Sequence, residues 1–177
     1  MRIAIIGAGN VGGALGKGWA RTGHLITYGV PYPADDKHRT TAEAAGGAGV
    51  FSVARVVQQA EAIVLAVPFD AVGKALAAAG DLRDRLLIDV TNPLRMSPDG
   101  LELSLGFDSS AAEHVASLTP GAAVFKTLNQ VGFEVMANTA GYAAAPVMFV
   151  AGDDARRKPI VIGLVGDLGF HPVDAGG

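Results

Sequence analysis

The sequence predicts an α/β fold, a single Rossmann-type domain with a doubly wound, mainly parallel sheet over residues 1–177. Three observations predict it. The chain opens with an apolar run, Ile3–Ile6, followed at once by a glycine-rich turn and a helical pattern. Short apolar segments then alternate with amphipathic ones along the chain, as the helical crossovers of a parallel sheet require. A length of 177 residues suits one domain with its own core.

The strands are predicted from short apolar runs bounded by turn-forming residues. The first run is apolar throughout, which is typical of a parallel strand buried on both faces. The fourth ends before Pro68, which cannot donate a ladder hydrogen bond. The predicted strands are residues 3–6, 24–28, 50–53, 62–67, 86–90, 122–126, 146–151 and 170–173.

The segments between the strands predict helices. The first helix follows the glycines, and Ser110 with Glu113 three residues later predicts a capping box at the start of another. Asp153 and Asp154 precede a helical segment, where they are expected to cap it rather than to bind a metal. The later helices are predicted at residues 41–45, 56–60, 70–79, 110–118, 132–137 and 155–164.

Gly7, Gly9 and Gly12 have the GxGxxG spacing of a dinucleotide site. Gly7 permits the tight turn, Gly9 lacks the Cβ that would collide with a pyrophosphate, and Gly12 allows close packing of helix and strand. The amides at the helix N-terminus then face the anion. A chain with 24 glycines can show this spacing by chance. The apolar strand before it and the helix after it favour a nucleotide site.

Ligands of such sheets bind at the carboxyl ends of the strands, so the loops there are candidates for the active site. Three stand out: residues 67–69, 91–94 and 127–129. Each alone could simply end a strand, but together they would surround one crevice. We find in them no histidine, cysteine or carboxylate placed as an acid or base before Asp174. His171 is the one residue expected to serve as a proton donor if the reaction needs one.

The composition excludes several classes of protein. Without cysteine there is no disulfide, thiolate nucleophile or cysteine metal site, and the scattered histidines predict no metal. A net charge of −3 provides no basic surface for nucleic acid. No apolar run approaches the roughly 20 residues of a membrane span. Because the first predicted strand begins so early, we expect no signal sequence and a cytoplasmic location.

The ordered motifs GAGNVG, AVPFDAV, DVTNPL, SSAAE, FKTLNQV and GFHPVDAG resemble those of the NADP-dependent oxidoreductases that act on the deazaflavin coenzyme F420. The chain is also similar to the reductase domain of the six-transmembrane metalloreductases. The resemblance implies one NADP-binding Rossmann domain over residues 1–177. It also implies hydride transfer between NADP(H) and a deazaflavin or flavin-type acceptor, and a homodimer as the protein partner.

The resemblance also implies positions for both ligands. In the family, an arginine after the second strand holds the 2′-phosphate, but Pro31 stands there, and no acid replaces it as in NAD sites. Of the nearby cations Lys37, His38 and Arg39, we expect Arg39 to bind this phosphate. The acceptor would lie beside residues 126–129 and 174–176. The residues expected to bind NADP are Gly7, Gly9, Asn10, Val11, Gly12, Arg39, Val67, Pro68, Asn92 and Pro93.

In such a reaction the two ring systems carry the redox chemistry, while the protein aligns them and excludes water. We therefore expect Asn92 and Thr127 to act as catalytic residues through hydrogen bonds that position the rings. Two alternatives remain. A dehydrogenase of the hydroxyacid or pyrroline-carboxylate type shares the glycine motif but needs a helical second domain, against which the length argues. A non-catalytic NADP-binding module, a sensor or a subunit of a larger reductase, would bind nucleotide without oxidising it.

Overall fold

The computed structural model describes residues 1–98, 100–106 and 108–177. The strands are β1 (Arg2–Ile6), β2 (Leu25–Gly29), β3 (Gly49–Phe51), β4 (Ala62–Leu65), β5 (Leu86–Asp89), β6 (Leu94–Ser97), β7 (Gly100–Leu103), β8 (Ala123–Lys126), β9 (Val147–Val150) and β10 (His171–Asp174). The helices are α1 (Asn10–Arg21), α2 (Arg39–Ala44), α3 (Val53–Gln59), α4 (Val72–Ala79), α5 (Ala111–Leu118), α6 (Phe133–Ala137) and α7 (Lys158–Asp167).

Six strands form the central sheet in the order β3-β2-β1-β4-β5-β8, and every neighbouring pair is parallel. The predicted α/β fold class with a doubly wound parallel sheet is therefore confirmed. The chain leaves β1 on one side toward β2 and later returns on the other side as β4. This reversal is the switch point at which the carboxyl ends of the strands form a ligand crevice.

Apolar side chains fill both faces of the sheet. Ile3 and Ile5 of β1 belong to a core cluster with Trp19 of α1, and the alternate residues Ala4 and Ile6 belong to a second cluster on the opposite face. These four residues of β1 are at most 1% exposed. The indole Nε1 of Trp19 donates a hydrogen bond of 2.8 Å to the carbonyl of Leu164, which joins α1 to α7.

Two smaller sheets accompany the central one. β9 and β10 pair in parallel, and an antiparallel bridge between Lys126 and Ala151 joins β9 to the end of β8. β6 and β7 form an antiparallel hairpin in a segment for which no strand was predicted. Arg95 and Glu102 pair on one face of the hairpin at 2.6 Å.

Most predicted elements are confirmed, with shifted ends. The predicted third strand extended to residue 53, but β3 ends at Phe51 because Val53 already begins α3. The capping box is present: the Ser110 hydroxyl accepts from the Glu113 amide, and Glu113 accepts from the Ser110 amide. Asp154 caps the turn before α7 by accepting from the amides of the next residues. Among the residues that the structure describes, no helix has both the length and the apolar character to cross a membrane.

Candidate active site

The glycine motif forms the turn from β1 into α1. Gly7 has φ +107°, and its amide donates to the carbonyl of Gly29 at 3.0 Å, so the turn is held against the end of β2. A Cβ on Gly7 would overlap the carbonyl oxygen of Ala66, and a Cβ on Gly12 would overlap that of Gly7. Both positions therefore require glycine for the fold itself.

Gly9 differs from the other two glycines. It is exposed, its φ of −82° suits any residue, and a Cβ there would have no described atom within 4 Å. It is the N-cap of α1, and no side chain in the described ranges caps the helix. The first amides of α1 therefore face open space beside Gly9, which leaves room and hydrogen-bond donors for a pyrophosphate. These features fit a bound dinucleotide.

A surface depression of ≈ 490 Å³ adjoins this turn and is lined by Gly9, Asn10, Lys17, Lys37 and Thr40 among others. Thr41 holds α2 against the turn, since its hydroxyl donates to the carbonyl of Ala8 at 3.3 Å. The Lys37 ammonium lies 2.8 Å from a carboxylate oxygen of Asp35 and remains 62% exposed.

Arg39 does not line this depression. It begins α2 with its side chain 73% exposed, and its Nε lies 3.8 Å from Glu43 one turn further along the helix. The assignment of Arg39 to the 2′-phosphate therefore stays a prediction. Lys17 and Lys37 are the cations that line the depression together with Gly9.

The loops after β4 and β5 meet the glycine turn at the same edge of the sheet. Val67 contacts the turn, because a Cβ on Gly7 would come within 3.1 Å of its Cγ1. Pro68 is exposed next to it, and Pro93 is half-buried. The amides of Asn92 and Asn129 face each other: each side-chain nitrogen donates at 3.2 Å, one to the Asn129 carbonyl and the other to the Asn92 side-chain oxygen.

Thr127 is bonded within the protein. It is 1% exposed, and its hydroxyl donates at 2.7 Å to the carbonyl of Phe149. This bond holds the segment after β8 against β9. A role of Thr127 in positioning the reacting rings stays a prediction. Its hydrogen bond supports the shape of the loop. Asn92 is exposed to solvent and Asn129 is partly exposed.

The crevice contains an ion pair that the sequence analysis missed. Asp89 ends β5 and is fully buried, and Lys126 ends β8 directly opposite it in the parallel register. The Lys126 ammonium donates to Asp89 Oδ2 at 3.0 Å and also to the carbonyl of Thr91. Asp89 Oδ1 accepts from the Thr91 amide at 2.9 Å. Asp89 is enclosed and paired, so the expectation that no acid or base stands here before Asp174 stays a prediction.

Burial lowers the pKa of Lys126, and the neighbouring carboxylate of Asp89 opposes that shift. The Thr91 side chain adds a second polar feature to the pair. Its hydroxyl is buried and has no hydrogen-bond partner among the described residues. The sequence signal for this buried pair was the carboxylate of Asp89 at the end of the otherwise apolar strand LLID.

A cavity of ≈ 1120 Å³ opens beside this pair. Pro93, Lys126 and Asn129 line it at the crevice, and Leu105, Val124 and Gly177 line it elsewhere. Asp174 pairs with Lys158 at 2.7 Å, and the same ammonium donates to the Gly176 carbonyl at 2.9 Å. His171 is exposed at the start of β10 and does not line the cavity. Among the described residues, no cluster of three or more metal-binding side chains occurs.

Comparison with known families decides the identity of the chain. Residues 2–93, which include the glycine turn and the loops after β4 and β5, match the model of the family described as NADP oxidoreductase, coenzyme F420-dependent. The chain belongs to this family. As an F420-dependent NADP oxidoreductase by family, it is an NADP-dependent oxidoreductase.

Solved structures agree with this family. This chain superposes on a protein from Arthrobacter sp. FB24, named an F420-dependent NADP reductase, with a TM-score of 0.91. The two are 30% identical over 99% of this chain and 84% of that one. A hypothetical protein from Sinorhizobium meliloti matches at 27% identity and a TM-score of 0.86, over 99% and 85% of the chains.

A more distant structure shows the fold alone. The 3-hydroxyisobutyrate dehydrogenase of Mycobacterium tuberculosis is 20% identical, with a TM-score of 0.70. The alignment covers 99% of this chain but only 54% of the dehydrogenase. The shared part is therefore the nucleotide-binding fold, and the remaining part of the dehydrogenase has no counterpart here.

Proposed function

We propose that this protein transfers a hydride between NADP(H) and a deazaflavin acceptor of the coenzyme F420 type. The observation that carries the proposal is the cavity of ≈ 1120 Å³, which extends along the edge strand β8 and reaches the carboxyl ends of the central strands. Its lining includes Pro93, Lys126 and Asn129, which follow or end the central strands. A nicotinamide at Val67 and Asn92 would then lie next to a ring held in the cavity.

The nucleotide part of the proposal depends on Gly9 and Lys37. The amides at the start of α1 would bind the pyrophosphate, since Gly9 leaves the approach open. The Lys37 ammonium would bind the 2′-phosphate, with a charge-assisted hydrogen bond. When bound, NADPH supplies the hydride, and the protein contributes position and charge.

The acceptor part depends on the composition of the cavity. Its walls include small and apolar residues, Leu105, Ala116, Ala123 and Val124, which suit a flat conjugated ring. The Asn92–Asn129 pair holds the loops after β5 and β8 at a fixed spacing. Fixed loops would keep the two rings in contact, because hydride transfer falls steeply when the reacting carbons separate.

Deuterium transfer tests this function directly. The purified protein is mixed with NADPH carrying deuterium at C4 of the nicotinamide and with oxidised coenzyme F420, and the reduced product is examined by mass spectrometry. We expect deuterium on the ring carbon of reduced coenzyme F420. FMN serves as a second acceptor and is followed by the consumption of NADPH, because a deuteron on the ring nitrogen of reduced FMN exchanges with water. Asn92→Ala should lower the rate of transfer, while Gln58→Ala, an exposed change on α3, should not. Tight binding of NADPH without reduction of either acceptor would instead favour a non-catalytic NADP-binding module.

A further inference from the structure

The Asp89–Lys126 pair has unused hydrogen-bonding capacity that faces the cavity. An ammonium group has three N–H bonds. Two of them are accounted for by Asp89 and the Thr91 carbonyl, and the described residues provide no partner for the third. Lys126 lines the cavity, and its side chain remains 19% exposed.

A purely structural role gives a poor account of this arrangement. Burying an ion pair adds little stability over an apolar pair of similar volume, because desolvation offsets the attraction. Here the carboxylate is fully buried while the ammonium reaches the cavity wall, so the pair is asymmetric. The buried Thr91 hydroxyl beside it also lacks a partner among the described residues. Buried polar groups are normally satisfied, and of these groups the Lys126 ammonium is the one that lines the cavity and is available to a ligand.

We propose that Lys126 binds the atom of the acceptor ring on which negative charge develops during hydride transfer, and that Asp89 and Thr91 are positioning residues for it. The inference rests on the proposed function and specifies which chemical group the acceptor must carry. The acceptor is a conjugated heterocycle with a carbonyl oxygen or ring nitrogen conjugated to the carbon that receives the hydride. The Asp89 carboxylate opposes the lowering of the Lys126 pKa by burial and so favours the charged ammonium.

The step balances without a proton from the protein. A C–H bond of the dihydronicotinamide breaks, and a C–H bond forms on the acceptor carbon with the same electron pair. The acceptor gains one negative charge, and a proton from water neutralises it when the product leaves. Lys126 donates a hydrogen bond and keeps its own protons. Such a donor stabilises charge most in a site from which water is excluded.

The first experiment separates acceptor binding from nucleotide binding. In Lys126→Met, the Kd for NADPH should stay within about twofold of the wild type, and the hydride-transfer rate should fall by about 10² to 10³. The Kd for oxidised coenzyme F420, measured by its fluorescence with NADP⁺ present, should rise at least about tenfold. Lys74→Met, a change at an exposed lysine on α4, is the matched control and should alter none of these values.

A second variant guards against a folding defect, because Lys126→Met leaves Asp89 buried without its partner. The double variant Asp89→Leu with Lys126→Met replaces the ion pair by an apolar one. Under our proposal it binds NADPH and still fails to bind the acceptor. If the pair were only structural, the double variant would recover acceptor binding and turnover.

Chemical rescue gives a third measurement. Ethylammonium added to Lys126→Ala should restore part of the transfer rate, since it supplies an ammonium where the side chain was removed. An unchanged Kd for coenzyme F420 in Lys126→Met, or wild-type turnover by the double variant, would overturn the inference while leaving the proposed function intact. Failure of the wild type itself to reduce coenzyme F420 would overturn the proposed function first.

Discussion

The change Gly9→Asp should separate nucleotide binding from folding. Gly9 is the N-cap of α1 with extended backbone angles, and a side chain there would meet no described atom within 4 Å. Aspartate is a favourable N-cap, worth a few tenths of a kcal/mol over glycine, and its charge near the helix N-terminus adds about 0.3–1 kcal/mol. We therefore expect the free energy of unfolding to be unchanged or raised by up to about 1 kcal/mol.

Nucleotide binding should weaken in the same variant. A carboxylate about 4 Å from one phosphate charge costs about 4 kcal/mol at an effective dielectric constant of 20, and about 1 kcal/mol in bulk water. Gly9 is exposed, so the cost lies between these limits. The Kd for NADPH should therefore rise by about 5- to 1000-fold. Gly9→Ala, which adds a methyl group without charge, measures the steric part of the loss.

Titration calorimetry with NADPH and urea unfolding followed by circular dichroism measure the two quantities. Wild-type affinity in Gly9→Asp would mean that the phosphates bind elsewhere and would refute the assignment of the glycine turn. A loss of more than about 1 kcal/mol in the free energy of unfolding would refute the argument that the fold tolerates a side chain at Gly9.

Three further predictions concern the nearby residues and acid stability. Gly12→Ala should lower the free energy of unfolding by about 1–3 kcal/mol in a urea titration, because its Cβ would overlap the Gly7 carbonyl oxygen; unchanged stability would contradict this. Lys37→Ala should reduce the ratio of NADP to NAD affinity about tenfold, while Arg39→Ala should leave it unchanged, as both sets of dissociation constants will show. The third prediction is that the protein loses stability in acid. Hydrogen bonds and ion pairs lower the pKa values of six carboxylates below the ordinary values, which are 3.8 for Asp and 4.5 for Glu. The unfolded chain then binds more protons, so this stability is complete above about pH 5 and decreases as the pH falls through the lowered pKa values. Unfolding free energies that stay level from pH 6 to pH 3 would disprove it. The six residues are Asp35, Glu61, Asp81, Glu113, Asp154 and Asp174.

Local patterns in the sequence were sufficient to predict the strands of the sheet and the glycine turn. Gly7, Gly9 and Gly12 lie within six residues, and their requirements depend only on the turn between β1 and α1. The capping box of Ser110 and Glu113 is equally local. Such features are determined by neighbours in the chain, so they can be predicted before the tertiary structure is known.

Features that depend on tertiary structure could not be predicted in this way. Asp89 and Lys126 are 37 residues apart, and they meet only because β5 and β8 are neighbours in one register. Thr127 looked available in a polar loop, but β9 returns past it and provides the Phe149 carbonyl. The path of the loop after β2 likewise decides which of its cations lies beside Gly9, and Lys37 lines the depression there.

The indole of Trp19 also has a spectroscopic consequence. It is the sole tryptophan of the sequence, it is fully shielded from solvent, and it donates to the Leu164 carbonyl on α7. Its fluorescence therefore comes from one environment and changes when α7 separates from α1. The N-terminus of the same α1 helix forms part of the proposed nucleotide site. The emission of this tryptophan can therefore report, without any label, whether a bound nucleotide slows the separation of α7 from α1.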